Sequence, residues 1–248
     1  PTFTLYKLMA TALQANVSEI LLHPEDLTFD VDRLIEAARV SDVVVVCTPN
    51  NPTGLLLDTG ALVTILKNAK GLVLVDEAYH EFSGQTALPL LAKHRNLIVL
   101  RTFSKAMSMA GLRFGYMMAH PEIAREVYKA KLPYNVNIFT LTAAELVIQR
   151  RSVLTEAISN LIRERGRLIA GLQKRTGVRV FPSQANFVLI KTARLARDLF
   201  DALYSQGVLV RDVSSYPLLD RCLRVSIGLP EENDRFLKAL DWALENKQ

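Results

Sequence analysis

Three unbroken runs of Val, Leu and Ile constrain this chain more than any other feature: Asp42–Cys47 (DVVVVC), Gly71–Val75 (GLVLV) and Asn96–Leu100 (NLIVL). Runs without polar alternation point to strands buried on both faces. Between them lie segments of helical period, Asp30–Ala38 and Asp58–Lys67, with Asp30 and Asp58 placed to cap them. This alternation predicts an α/β fold: a mostly parallel sheet with helices on both faces. Further strands are expected at Glu19–Leu22 and Gly115–Ala119. From Pro121 to Thr176 the pattern turns helical. Shorter strands then come at Asn186–Ile190, Val208–Arg211 and Cys222–Ser226, with helices at Arg194–Ser205 and Glu231–Glu245. The change predicts a large unit over residues 1–150 and a smaller C-terminal α+β unit over 151–248 that includes the connecting helix.

In a sheet of this kind ligands sit beyond the carboxyl ends of the strands. The segments directly after the three runs are TPNNPTG (Thr48–Gly54), DEAYHEF (Asp76–Phe82) and TFSK (Thr102–Lys105). Taken singly, each has an ordinary reading. Lone lysines are usually solvated cations, an Asp at a strand end is often a turn former, and Asn-Pro-Thr-Gly is a turn sequence. Taken together, at three strand ends of one sheet, they converge on a single crevice.

Composition removes several alternatives. The 248 residues carry a formal charge of +5, but Lys and Arg are interleaved with Asp and Glu, and no basic block alternates with aromatics. Nucleic acid is therefore not an expected partner, whereas a small anionic substrate suits the modest positive balance. The longest apolar runs fall far short of a membrane span. Cys47 and Cys222 are the two cysteines, too few for a disulfide framework, which favours a reducing, cytoplasmic setting. His80 and Glu81 lack the second His of a zinc-binding HExxH helix, and neither a Walker A motif nor a GxGxxG fingerprint occurs.

Pyridoxal 5′-phosphate chemistry needs such a set of residues. A lysine must form a Schiff base, so burial and neighbouring positive charge must keep its amine deprotonatable. A carboxylate must pair with the pyridine nitrogen to keep the ring an electron sink. Donors must hold the ring's phenolate oxygen, and an arginine with hydroxyls must hold the phosphate. Lys105; Asp76; Asn51 with Tyr79; and Arg113 with Thr102 and Ser104 can fill these roles in turn.

NNPTG, DEAYHEF and RTFSKAMSMAGLRFG resemble the fold-type I, aspartate-aminotransferase-like enzymes. Within them, LPYNVN (Leu132–Asn137), SQANFVL (Ser183–Leu189), GVLVRD (Gly207–Asp212) and CLRVSIG (Cys222–Gly228) are similar to segments of the histidinol-phosphate aminotransferase branch. The resemblance implies that Lys105 holds the cofactor and shuttles a proton, with Asp76 and Tyr79 as its catalytic companions. It implies that Phe3 stacks on the ring, that Arg224 clamps the substrate α-carboxylate and that Arg211 binds a distal phosphate. It also implies small-molecule substrates, an amino donor and a 2-oxo acid, and a homodimer. The activity it implies is amino transfer between L-histidinol phosphate and 2-oxoglutarate in histidine biosynthesis. Aromatic aminotransferases and threonine-phosphate decarboxylases of the same fold are the rival enzymes, and a non-catalytic cofactor-binding domain is the rival of another class. Measured against the family, the chain opens at the stacking aromatic, so the family's N-terminal arm and first strand–loop–helix, which supplies half of the phosphate donors, are expected to be missing.

Overall fold

The computed structural model describes residues 1–246. Its first sheet contains β1 (Val43–Cys47), β2 (Leu72–Asp76), β3 (Leu97–Thr102) and β4 (Gly115–Ala119), in that spatial order. β1, β2 and β3 run parallel, and β4 returns antiparallel along β3. Before β1 come α1 (Leu5–Ala12) and α2 (Val31–Ala38); α3 (Thr59–Asn68) connects β1 to β2, and α4 (His80–Ser83) comes after β2. The two expected caps are present: Asp30 accepts from the Arg33 N–H at 3.1 Å and Asp58 from the Ala61 N–H at 3.0 Å. Each satisfies an otherwise orphaned donor of a first helical turn.

Leu62, Ile65 and Leu66 of α3 and Ala38 of α2 pack on Val44, Val46, Val73, Val75, Leu97 and Val99. β3 begins with three buried residues in a row, as the sequence predicts, but β1 alternates. Val43 and Val45 stay exposed while Val44 and Val46 are buried, because α2 and α3 cover only the face that carries Val44 and Val46. The expected strand at Glu19–Leu22 is absent. That segment makes no ladder, and Leu22 anchors it by packing with Leu27, Phe181 and Leu189.

The second sheet is antiparallel, with β5 (Val178–Val180), β6 (Phe187–Thr192), β8 (Cys222–Ser226) and β7 (Arg211–Asp212) in that order. Val208–Val210, read from sequence as strand, stays outside the ladder, and only Arg211 and Asp212 pair with β8. β6 is one of its two inner strands: Val188 and Ile190 face α7 (Ser152–Gln173), α8 (Ala196–Ser205) and α9 (Pro230–Glu245), while Leu189 faces Leu22 and Leu27. Truncating such a fully buried leucine to alanine costs about 2–5 kcal/mol, so the segment before β1 is firmly tied to the second sheet. α5 (Pro121–Lys129) and α6 (Ile138–Gln149) lie between the two sheets in the chain. No helix among the described residues is long and apolar enough to cross a membrane.

Candidate active site

Parallel pairing sets Cys47 opposite Asp76 and Asp76 opposite Leu100. The three polar motifs therefore leave the sheet along one edge, the carboxyl edge where such sheets bind ligands.

The turn after β1 is locked by Asn50, which is almost fully buried. Its Nδ2 donates to the Pro1 carbonyl and to Thr53 Oγ1, both at 2.9 Å, and its Oδ1 accepts from Thr2 Oγ1 at 2.8 Å. The start of the chain is thereby pinned over the carboxyl edge. Gly54 has φ +79°, and a Cβ there would lie 2.2 Å from Ser183 Oγ. Glycine is needed twice over, for its left-handed backbone and for the close approach of the loop before β6, whose Gln184 N–H donates to the Gly54 carbonyl at 2.7 Å.

At the end of β2, Asp76 and Glu77 point to opposite faces, as successive strand residues do. Asp76 Oδ1 accepts from the Ala78 N–H at 2.9 Å, while Oδ2 accepts from the Tyr6 hydroxyl at 2.7 Å and lies 3.8 Å from Cys47 Sγ. Glu77 is buried away from the crevice, receiving Arg101 Nε at 3.0 Å and Nη2 at 2.9 Å, besides the Thr86 hydroxyl and the Ala87 N–H. It braces β2 against β3 directly before Thr102. Tyr79 is buried edge-on to Phe187, with centroids 5.2 Å apart. Burial foremost pushes its phenol up to about 12, with Asp76 adding to the rise and Arg224 opposing it.

Lys105 Nζ lies 5.4 Å from the centre of the Tyr79 ring. Its pKa is lowered from the ordinary lysine value, first by partial burial and then by the positive charges of Arg224 and Arg113, with Asp76 acting the other way. The turn that carries it is closed by Phe103, whose ring meets Phe114 edge-on at 4.9 Å, and by the Met109 N–H donating to the Phe103 carbonyl at 2.9 Å. Thr102 Oγ1 accepts the Ser104 N–H at 3.0 Å. Arg113 sits in the left-handed region at φ +53°, exposed, with Nη1 donating to the Ala110 carbonyl at 2.8 Å.

Arg224 on β8 donates from Nη1 to Asn51 Oδ1 at 2.6 Å and lies 4.9 Å over the Phe187 ring. Its Nε is buried without a hydrogen-bond partner among the described residues. Such a donor is expensive to bury unless a ligand completes it. Arg211 is the register partner of Arg224 across β7 and β8, and its charge is one of the influences that lower the Arg224 pKa, after burial itself. Asp76, Tyr79, Lys105, Asn51 and Arg224 are thus gathered, with Arg211 beside them. Phe3 is exposed, its ring meeting the edge of Tyr6 at 6.1 Å.

Tyr6, Asn50, Glu77 and Arg165 were not singled out by sequence reasoning. Arg165 is buried and donates to the carbonyls of Phe82 and Ala185 at 3.2 and 2.9 Å and to Gln184 Oε1 at 3.0 Å. It fastens the DEAYHEF segment to the loop that leads into β6. Its signal was present in the sequence, since Leu161, Arg165, Leu168 and Leu172 fall on one helical stripe, an arginine among leucines.

The model of the family described as aminotransferase class I and II matches residues 1–240. A histidinol-phosphate aminotransferase of Chlorobaculum tepidum is 45% identical over 97% of this chain and 69% of that protein. The crystal structure of the histidinol-phosphate aminotransferase from Clostridium acetobutylicum superposes with a TM-score of 0.95 at 28% identity, over all of this chain and 77% of that one. An L-threonine-O-3-phosphate decarboxylase from Porphyromonas gingivalis superposes with a TM-score of 0.85 at 26% identity, over 99% of this chain and 75% of that one. A match over nearly the whole length places this chain among the class I and II aminotransferases, enzymes that work with pyridoxal 5′-phosphate.

Proposed function

We propose that the chain transfers the amino group of L-histidinol phosphate to 2-oxoglutarate by a ping-pong route. The observation that carries this reading is the pairing of Arg211 with Arg224, which sets two cations side by side at the edge of the site. Together they suit the phosphate ester, the one anionic group of that donor, and in the second half-reaction the carboxylates of 2-oxoglutarate. The 45% identical relative, a histidinol-phosphate aminotransferase by name, supports the same choice.

The residues suit the cofactor. Asp76 presents an ionisable oxygen at the strand end, Asn51 has its amide nitrogen without a partner among the described residues while its oxygen serves Arg224, and the orphaned Arg224 Nε awaits an acceptor. When bound, pyridoxal phosphate supplies a carbonyl carbon that takes up the amino group and a ring that accepts the electron pair of the broken Cα–H bond. In this reading Lys105 anchors the cofactor and its amine then takes the proton from the substrate Cα. A lowered lysine pKa suits that work, because more of the amine is unprotonated near neutrality. Asp76 accepts the ring's N–H, Asn51 and Tyr79 hold the phenolate oxygen, Thr102, Ser104 and Arg113 receive the phosphate, and Phe3 covers the ring.

The same reading divides the chain near residue 150, supported by one sheet on either side, with the segment before β1 crossing to the second. It makes the protein a cytoplasmic homodimer. Both free cysteines are buried. α1 exposes Leu5, Leu8 and Met9, and α6 exposes Ile138, Phe139 and Ile148, apolar side chains of the kind that subunits cover.

The test is a comparison of kcat/KM for L-histidinol phosphate and unphosphorylated L-histidinol. Preference for the phosphorylated donor by at least about tenfold is expected from one charge-assisted contact. Equal values would overturn the substrate assignment, and release of carbon dioxide from threonine phosphate would favour the decarboxylase.

A further inference from the structure

We propose that Tyr6 is a positioning residue of the active site, its hydroxyl holding the Asp76 carboxylate in the orientation that meets the cofactor's ring nitrogen. The proposal rests on the reading of Asp76 as that nitrogen's partner. Tyr6 reaches Asp76 from 70 positions away in the sequence, over 2.7 Å. Asp76 Oδ1 is fixed by the Ala78 N–H, so the rotation of the carboxylate is decided at Oδ2. The two neighbours of Oδ2 are unequal: the Tyr6 hydroxyl is a strong donor, whereas the Cys47 thiol at 3.8 Å is a weak one. Each carboxylate oxygen can accept two hydrogen bonds, so with Oδ2 taken by these two donors the second acceptor site of Oδ1 stays open for the ring nitrogen.

Something must hold this group, because the charges around it pull elsewhere. Tyr6 of α1, Cys47 of β1, Tyr79 beyond β2 and Lys105 all sense the Asp76 charge. Lys105 is the one cation among them, and a carboxylate released at Oδ2 would turn towards it. Such a turn would raise the lysine pKa and take the carboxylate off the ring. The Tyr6 hydroxyl opposes the turn at every working pH, since burial and the neighbouring carboxylate hold it protonated well above the ordinary tyrosine value. α1 also carries Tyr6 into an edge contact with Phe3, so one short helix presents both aromatics to the site.

Tyr6→Phe keeps the ring and that edge contact and removes only the hydroxyl. The experiment measures apparent dissociation constants of the cofactor-free protein for two probes, pyridoxal phosphate and its 1-deaza analogue, in which CH replaces the ring nitrogen. The parent is expected to prefer the nitrogen-bearing probe, and Asp76→Asn to lose that preference. Tyr6→Phe should lose about tenfold of it, by weakening pyridoxal phosphate while leaving the analogue unchanged. Equal loss for both probes, or a preference that survives Tyr6→Phe intact, would overturn the proposal. A parent without any preference, unaltered in Asp76→Asn, would instead overturn the reading of Asp76 on which it stands.

Discussion

Asp76 and Arg113 both act on Lys105 through their charge, yet the chain holds them in contrasting ways. Asp76 stands at a strand end inside a web spun by distant parts of the chain: Tyr6 bonds it, Asn50 pins the segment that carries Tyr6, and Arg224 ties Asn51 to the second sheet. Arg113 sits exposed on a turn closed mainly by its own residues, with Nη1 on a carbonyl three positions back. The ring-and-substrate end is therefore preorganised by long-range packing, and the phosphate end by local turn geometry. Preorganised groups act without reorganising during the reaction. Catalysis should accordingly be most sensitive at the first end.

The largest effect is expected at the lysine between the two. Lys105→Ala removes the anchor and the proton carrier together. General acid–base catalysis alone contributes about 10²–10⁴-fold, so steady-state transamination should fall at least that far while far-UV circular dichroism is unchanged. Activity within tenfold of the parent would break the comparison at its centre.

Asp76→Asn comes next. The amide still accepts a hydrogen bond from Tyr6 but carries no charge to oppose a protonated ring. A loss of about 10²–10³ in kcat, the scale for removing one preorganised electrostatic group, should exceed the loss in cofactor affinity measured by equilibrium dialysis. Arg224→Lys should cost less, since the charge remains while the fork that reaches Asn51 is lost. KM should rise roughly tenfold to a hundredfold for every amino donor and for glutamate, one charge-assisted contact being worth about 1.5–3 kcal/mol.

The same contrast explains how much of the molecule is legible in the sequence. The strand-end motifs are legible because they are local: VVVVC, LVLVD and LIVLRT announce their strands, and the residues after each strand must lie at the carboxyl edge. The Asp30 and Asp58 caps are legible for the same reason. The long-range web is not. Nothing near Tyr6 signals Asp76, and nothing near Asn50 signals Pro1 and Thr2, since contacts across tens of residues leave no period. Glu19–Leu22 fails in a related way: Ile20, Leu21 and Leu22 have strand composition, but only a neighbouring backbone makes a ladder, and here Leu22 finds side chains instead. Val43 and Val45 show the limit of a continuous apolar run, which cannot tell a strand covered on one face from one covered on both.

Arg211 sharpens the comparison at a smaller scale, because it is exposed on a two-residue strand, beside the web but not in it. Arg211→Ala should lower kcat/KM for the phosphorylated donor about tenfold, the lower end of one charge-assisted contact. Glutamate, whose distal carboxylate is a smaller and differently placed anion, should lose less. A uniform loss across both substrates would assign Arg211 to the web through Arg224.

The smallest effect is one of stability, and it tests whether Lys105 is held for function at some expense to the fold. Its pKa in the folded chain lies below the ordinary value of 10.5, through burial and the charges of Arg224 and Arg113. Below the folded pKa the amine is charged in both states, and the folded state suffers the unfavourable surroundings in full. Between the folded pKa and 10.5 the unfolded chain binds more protons, so stability rises with pH and the penalty fades. Lys105→Met keeps an unbranched side chain and removes the charge. The cofactor-free variant should therefore be more stable than the parent at neutral pH, and the two should converge as pH approaches 10.5. The side chain remains substantially exposed, so water screens these interactions and the gain should stay below about 1 kcal/mol. Urea unfolding of both proteins across this range measures it, and other titrating groups cancel in the difference. A parent more stable than the variant at neutral pH would mean that Asp76 outweighs the two arginines, and that the lysine belongs to the web rather than being held against it.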